Sequence, residues 1–296
     1  MCRLFGLHGG RERARACFWL LEAPQSLAVQ SRYQPDGYGI GTFEEDGTPQ
    51  VDRGVTPAWQ DEAFAHGAKR GRSRTYVVHL RYASAGPAAL RNSHPFRQEG
   101  RLFAHNGVFE GMRDLEDHLG PERALVRGDT DSERFFALIT RETRRAGGDL
   151  AAGITSAVAW IAERLPMFSL NLLLATPDEL WALRYPDTNE LWLLERRAGG
   201  SHGCRHLEES SEVGTLRVRS DDLAACDSVV IASEPMDEHP GWRLLDDGEL
   251  VRVTPDLRCA STMIPVRPAH QLTVEDLSER AAASQLAERT ATAAAG

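Results

Sequence analysis

Apolar and polar positions along the chain divide it into two stretches of different rhythm. Up to residue 109 the apolar runs are short and closed by turn residues. CRLFGLH (2–8) reads as a strand ending at Gly9-Gly10, and residues 14–31 as helical turns interrupted near Pro24. DGYGIGTF (36–43) and PQVDRGV (49–55) flank Asp46-Gly47, a strong hairpin signal. RTYVVHLRYA (74–83) predicts a buried strand, and RLFAHNGVF (101–109) a second one that breaks at Gly107. A helical period then takes over. In GDTDSERFFALITRETRRAG (128–147), Thr130 and Glu133 fit a capping box, Phe135, Phe136, Leu138 and Ile139 share a face, and Gly147-Gly148 stop the helix. Residues 151–165 predict another helix, ended by Pro166.

From residue 167 strands return in succession: MFSLNLLLAT, ELWALRY, ELWLLER, GTLRVRS, DSVVIASE and GELVRVTPD. Trp160, Trp181 and Trp192 are expected in the core. From Thr273 the composition collapses to Ala, Glu, Arg, Ser and Thr, so residues 1–272 read as one domain and 273–296 as a weak helix or disordered tail. The order does not alternate βαβα. It points to an α+β class with two antiparallel sheets covered by helices.

Composition narrows the class of protein. With 34 basic against 43 acidic residues the 296-residue chain carries −9 and no clustered basic patch, which argues against nucleic acid and anionic membrane surfaces. Five scattered cysteines without a C-x-x-C pair fit a reducing compartment. CFWLL (17–21) is too short for a signal or membrane segment, so a soluble cytoplasmic protein is expected.

Four stretches combine a reactive or charged residue with an otherwise interior-looking element. Cys2 follows the initiator methionine; if Met1 is removed, one residue carries both a thiol and a free α-amine, a nucleophile with its own base. Arg81 in HLRYAS is either a solvent-reaching strand end or a clamp for a carboxylate. Asn106-Gly107 is either a turn or a pair of N–H donors suited to an oxyanion. Asp129 and Asp131 either cap a helix or bind a ligand ammonium. His202, Cys204 and His206 in SHGCRH read as a solvated turn rather than a zinc site, since no fourth ligand follows; no metal or cofactor is expected.

Together and in this order these stretches resemble the class II glutamine amidotransferase domain of the N-terminal-nucleophile hydrolases. The resemblance rests on the initial Met-Cys, SRYQPDGYGIGTF with Arg32, Asp36, Gly37 and Gly39, the H-x-R-Y at His79–Tyr82, and NSHPF (92–96). It rests further on His105–Gly107, TDSE (130–133) and a late ASEP…W…GELVRV that looks like the family's terminal strand pair. It spans roughly residues 2–255. Arg3 stands where many members have Gly, Ser84 where Thr is common, and no second catalytic domain follows. These features look like the compact stand-alone branch, with its YafJ-like proteins and ergothioneine-pathway γ-glutamyl hydrolase.

The resemblance implies a four-layer αββα sandwich, Cys2 as nucleophile, and Asn106 and Gly107 as oxyanion donors. Arg81 and Asp131 would clamp the α-carboxylate and α-ammonium of glutamine or a γ-glutamyl small molecule. His79, His94, His105, Arg32 and Asp36 would stand behind them, the histidines fixing Arg81 and the Asn106 loop. Three functions follow from it: a γ-glutamyl amide hydrolase, a glutaminase subunit feeding ammonia to a separate synthetase, or a non-catalytic binding protein. A homo-oligomer is left open.

Overall fold

The computed structural model describes residues 2–82, 89–198, 208–210, 217–219 and 226–285. In chain order the strands are β1 (Arg3–His8), β2 (Tyr38–Phe43), β3 (Pro49–Gly54), β4 (Thr75–Leu80), β5 (Phe96–Gln98), β6 (Arg101–Phe109), β7 (Met167–Ala175), β8 (Leu180–Leu183), β9 (Trp192–Arg196), β10 (Glu208–Ser210), β11 (Arg217–Arg219), β12 (Ser228–Ala232), β13 (Arg243–Leu244), β14 (Glu249–Val253) and β15 (Cys259–Met263). The helices are α1 (Leu27–Gln30), α2 (Glu62–Arg70), α3 (Met112–Leu119), α4 (Asp131–Arg145), α5 (Leu150–Arg164) and α6 (279–285).

Two antiparallel sheets carry the architecture. The first runs β13-β9-β12-β1-β4-β2-β3, the second β15-β14-β8-β7-β6-β5, and β10-β11 pair apart from both. Strand alternation sends successive side chains to opposite faces, and each sheet uses both. Leu4, Val77, Leu102, Leu173, Leu180 and Ile231 meet between the sheets. Phe5, Leu7, Tyr76 and Val78 face the other way, under Phe18, Trp19, Leu27 and Phe64. Phe103, Leu170 and Leu172 pack outward against Phe135, Leu138, Ile154 and Ile161 of α4 and α5. The result is four layers, helix–sheet–sheet–helix, as the sequence led us to expect.

Several local expectations are corrected. Residues 101–109 form one strand that continues through Gly107, with its irregularity one step later, between Val108 and Phe109. Ser169 on β7 approaches so closely that a Cβ at Gly107 would lie 1.7 Å from its carbonyl oxygen, so this glycine admits the neighbouring strand rather than ending its own. The capping box is half made. Thr130 Oγ1 accepts from the Glu133 amide at 3.3 Å, whereas the Glu133 carboxylate turns to the Arg127 and Gly128 amides at 3.1 and 2.5 Å. The late strand pair is not a pair: β12 lies between β1 and β9, and β14 lies in the other sheet between β8 and β15. Of the three tryptophans only Trp181 is core; Trp160 and Trp192 are partly exposed. Helices α2 and α3 and strands β5 and β15 went unread, because their polar faces dominate short spans. His202, Cys204, His206 and Ser84 lie outside the described residues.

Residues beyond the predicted domain are tied back onto it. The Met167 amide donates to the His270 carbonyl at 3.0 Å and the Leu272 amide to the Met167 carbonyl at 2.9 Å. Ser278 then starts α6, its Oγ accepting from the Ala281 amide at 3.3 Å, and Ala281 and Ser284 are buried.

Candidate active site

The cleft lies at one end of the space between the sheets, where three strands change character together. On β4 the inward positions run Val77, His79, Arg81; on β6 they run Leu102, Ala104, Asn106; on β1, Leu4 is followed toward the terminus by Cys2. The alternation that fills the core with aliphatics thus delivers polar side chains at its rim. Cys2, His79, Arg81, Tyr82, Asn92, His94, His105, Gly107, Thr130, Asp131 and Ser132 line this cleft.

Cys2 sits at the head of a strand held on both sides. The Leu4 amide donates to Ser233 Oγ at 2.9 Å and the Ser233 amide to the Leu4 carbonyl at 3.1 Å. Arg3, buried, pairs with Glu234 at 3.2 Å. The late Ser-Glu of the ASEP segment therefore anchors the strand that follows Cys2. The Cys2 thiol lies 3.2 Å from both the carbonyl oxygen and the amide nitrogen of Tyr82, donating to one and accepting from the other. Burial pushes the thiol's pKa up; the Tyr82 backbone and the charges of Arg81 and Arg3 oppose that shift.

Opposite Cys2, the Asn106 amide donates to the Cys2 carbonyl at 3.0 Å. Its second amide proton is directed elsewhere, and the adjoining Gly107 is half-buried at the cleft. Asp131 opens α4. Its Oδ1 accepts from the Ser132 amide at 2.8 Å and its Oδ2 from the Phe109 amide at 3.3 Å, just past the irregular step of β6.

His105 connects the two. One ring nitrogen lies 3.2 Å from the Ser169 carbonyl, which can only accept, so that nitrogen carries the proton; the other, 3.0 Å from Ser132 Oγ, accepts. Burial holds its pKa down, against the pull of Asp131 and Ser169. Ser132 is a residue that the sequence reading passed over inside TDSE, and this bond ties Asp131's helix to the Asn106 strand.

His79 and His94 behave differently. Their ring centroids lie 4.2 Å apart with the planes tilted by 38°, and His94 meets Phe96 edge-on at 4.6 Å. The His105 backbone favours protonation of His79 slightly, yet no ring nitrogen of either reaches a hydrogen-bonding partner among the described residues. Burial, then the Arg81 charge, brings His79 down to about 3; burial, then His79, holds His94 well below its ordinary value. They are packing groups beside Arg81 rather than hydrogen-bonded props. Gly39 makes this possible, since a Cβ there would come within 1.9 Å of the His94 carbonyl oxygen.

Arg81 is buried. Its amide donates to the Gly37 carbonyl at 2.8 Å, and its carbonyl accepts from the Asp36 amide at 3.1 Å. Burial lowers its pKa, Cys2 and Asp36 restore it, and Arg280 of α6 lowers it further. Asp36 in turn faces Arg280 at 3.5 Å. Arg32 is corrected: it lies exposed over the Trp59 ring at 5.6 Å and is not among the residues lining the cleft. Asp129 shapes the loop, accepting from Arg91 at 2.9 Å and Asn92 at 3.2 Å. Arg280 was missed because its segment reads as low-complexity tail; the Ser278 cap was the available signal. No metal-binding group of three or more ligands occurs among the described residues, and no helix among them is long and apolar enough to cross a membrane. Cys2 and Cys259 are free thiols.

Comparison with known proteins agrees with this geometry. A gamma-glutamyl-hercynylcysteine sulfoxide hydrolase from Mycolicibacterium smegmatis is 31% identical over 245 residues, covering 79% of this chain and 88% of that protein. The putative glutamine amidotransferase YafJ of Escherichia coli is 29% identical, covering 72% and 83%. Among solved structures, a predicted glutamine amidotransferase from Pseudomonas aeruginosa superposes with a TM-score of 0.57 at 21% identity, over 88% of this chain and 100% of that one. The allosteric regulatory enzyme of purine biosynthesis superposes with a TM-score of 0.63 at 19% identity, over 89% and 49%. Residues 1–274 match the family described as glutamine amidotransferases class-II, and the chain belongs to that family.

Proposed function

We propose that the protein is an N-terminal cysteine amidohydrolase that cleaves the γ-amide of glutamine or of a γ-glutamyl compound through a γ-glutamyl thioester. The observation carrying this reading is that Cys2, Arg81 and Asp131 line one small cleft, with Asn106 bonded to the Cys2 carbonyl, although Cys2 and Asp131 lie 129 positions apart. After removal of Met1, the α-amine of Cys2, with an ordinary pKa of about 7.7–8.0, takes the proton of a thiol that burial has made reluctant to ionise. The thiolate adds to the γ-carbonyl, and the resulting oxyanion is met by Asn106 Nδ2–H and Gly107 N–H. The α-ammonium of Cys2 returns its proton to the departing nitrogen as the C–N bond breaks, leaving the thioester. Water, deprotonated by the same amine, adds to the thioester and releases glutamate and the thiol.

Arg81 meets the α-carboxylate and Asp131 the α-ammonium. Asp131 Oδ1 accepts from the Ser132 amide and faces the Ser132 hydroxyl at 3.2 Å, and Oδ2 accepts from the Phe109 amide; a carboxylate with about four acceptor positions retains capacity for that ammonium. The relatives with γ-glutamyl hydrolase names support a γ-glutamyl amide as substrate. Intact mass after treatment with 6-diazo-5-oxo-L-norleucine tests the reading. Loss of Met1 with one adduct on Cys2 is expected; a retained methionine without adduct would overturn it. Turnover of glutamine against γ-glutamyl thiol compounds then identifies the leaving group.

A further inference from the structure

Helix α6 lies beyond the residues matched by the family, which end at 274, and yet it brings a charged side chain to Asp36, beside the Arg81 end of the cleft. Its seating is firm at two points. Ala281 and Ser284 are buried, and the segment leading to it is hydrogen-bonded to Met167 at the head of β7. From its first turn Arg280 reaches back to Asp36, 3.5 Å away. Asp36 belongs to the loop whose amide is bonded to the Arg81 carbonyl, so Asp36 and Arg81 move as one unit.

The electrostatics of that unit present a difficulty for an amino-acid ligand. An α-amino acid head is neutral overall, and a carboxylate must be drawn to Arg81 past whatever charges surround it. Arg81 and Asp131 match the two charges of that head, and Asp36, bonded through its backbone to the Arg81 carbonyl, leaves one negative charge over beside the guanidinium. Arg3 adds nothing to this sum, being paired with Glu234. Like charge at the mouth of a low-dielectric cleft repels an incoming carboxylate and lowers its occupancy. Arg280 brings the sum to zero, matching the ligand.

We infer that Arg280 of α6 is a positioning residue of the substrate site, neutralising Asp36 so that the Arg81 end of the cleft accepts a ligand α-carboxylate. The C-terminal helix thereby helps select ligands that carry that carboxylate. The inference rests on the γ-glutamyl reading above. Its effect falls on ligand capture and leaves the reactivity of the thiol alone, because Arg280 has no contact with Cys2 among the described residues.

The rate of Cys2 modification in the full chain separates these effects. Two reagents are used at subsaturating concentration: 6-diazo-5-oxo-L-norleucine, which carries an α-carboxylate, and iodoacetamide, which does not. Arg280→Ala is expected to slow the first about tenfold and leave the second within about twofold, while Arg280→Lys restores most of the first. Asp36→Asn placed in the Arg280→Ala background is expected to recover the rate, since the charge to be neutralised is gone. Equal slowing with both reagents would overturn the inference by showing a general disturbance of the site. So would no slowing with either, or no recovery on adding Asp36→Asn. If the unsubstituted protein with its methionine removed is not modified by 6-diazo-5-oxo-L-norleucine at all, the γ-glutamyl reading falls and takes this inference with it. A protein modified normally but indifferent to Arg280 loses only the inference.

Discussion

The two ends of the space between the sheets are built from the same strands and do opposite things. At one end Leu4, Val77, Leu102 and Leu173 interdigitate as aliphatics. Two to four residues beyond Val77 and Leu102 the same inward face carries His79, Arg81 and Asn106, all nearly excluded from solvent. Burial at the first end removes apolar area from water and stabilises the fold. Burial at the second desolvates charges and leaves the imidazoles of His79 and His94 without hydrogen bonds among the described residues, which costs stability. The first end holds the sheets in place so that the second can keep a thiol, an amide and a guanidinium in fixed relation. Function is concentrated where the fold is least favourable, which is the trade expected of a preorganised site.

The sharpest way to break this division is to remove the nucleophile. Cys2→Ala is expected to lower glutamate release about 10⁴-fold or more. The melting temperature should hold or rise, because an enclosed thiol is replaced by a methyl group; a large fall in stability would show that the polar end also supports the fold. Asn106→Ala comes next, with a loss of about 10²–10³ in kcat for one oxyanion donor, measured at saturating substrate. At the aliphatic end Leu173→Ala should cost about 3 kcal/mol in denaturant titration, leaving kcat per folded molecule unchanged. Altered kcat there would mean that the two ends are mechanically coupled. The last test reads the dependence on pH. His79 stays neutral down to about 3 and His94 well below its ordinary value, whereas both titrate near 6.5 once unfolded. Between those limits the unfolded chain binds more protons, so stability falls as pH drops from about 6.5 toward 3, by up to about 1.4 kcal/mol per pH unit for each histidine. His79→Phe should flatten that slope in thermal melts from pH 7 to pH 4.

Much of this division was legible before any coordinates. The strands of Cys2, Arg81 and Asn106 and the Thr130-capped start of α4 follow from alternation and helix period, and these carry four of the proposed site residues. What local pattern could not reveal was choice of partner. Glu133 takes the Arg127 and Gly128 amides of the preceding loop instead of completing its own cap. His105 finds Ser132 and Ser169, both more than 25 positions away. Arg32 turns to Trp59 at the surface although its neighbours in the motif turn inward. Arg280 sits in a stretch whose composition gives no periodic signal, and only the long-range pairing with Asp36 assigns it a role.

The position of β1 also bears on how the molecule is made. The strand carrying Cys2 is synthesised first, but its neighbour β12, along with the Ser233 bonds that clasp Leu4, arrives some 229 residues later. At about 5–20 residues per second, that leaves roughly 10–45 s during which the chain's beginning has no completed sheet around it. On the proposed reading, in which Met1 is removed, a peptidase would reach the first peptide bond in this interval, before ladder bonds on both sides enclose the strand. Activation of the nucleophile would then be coupled to elongation, and slower translation would raise the processed fraction.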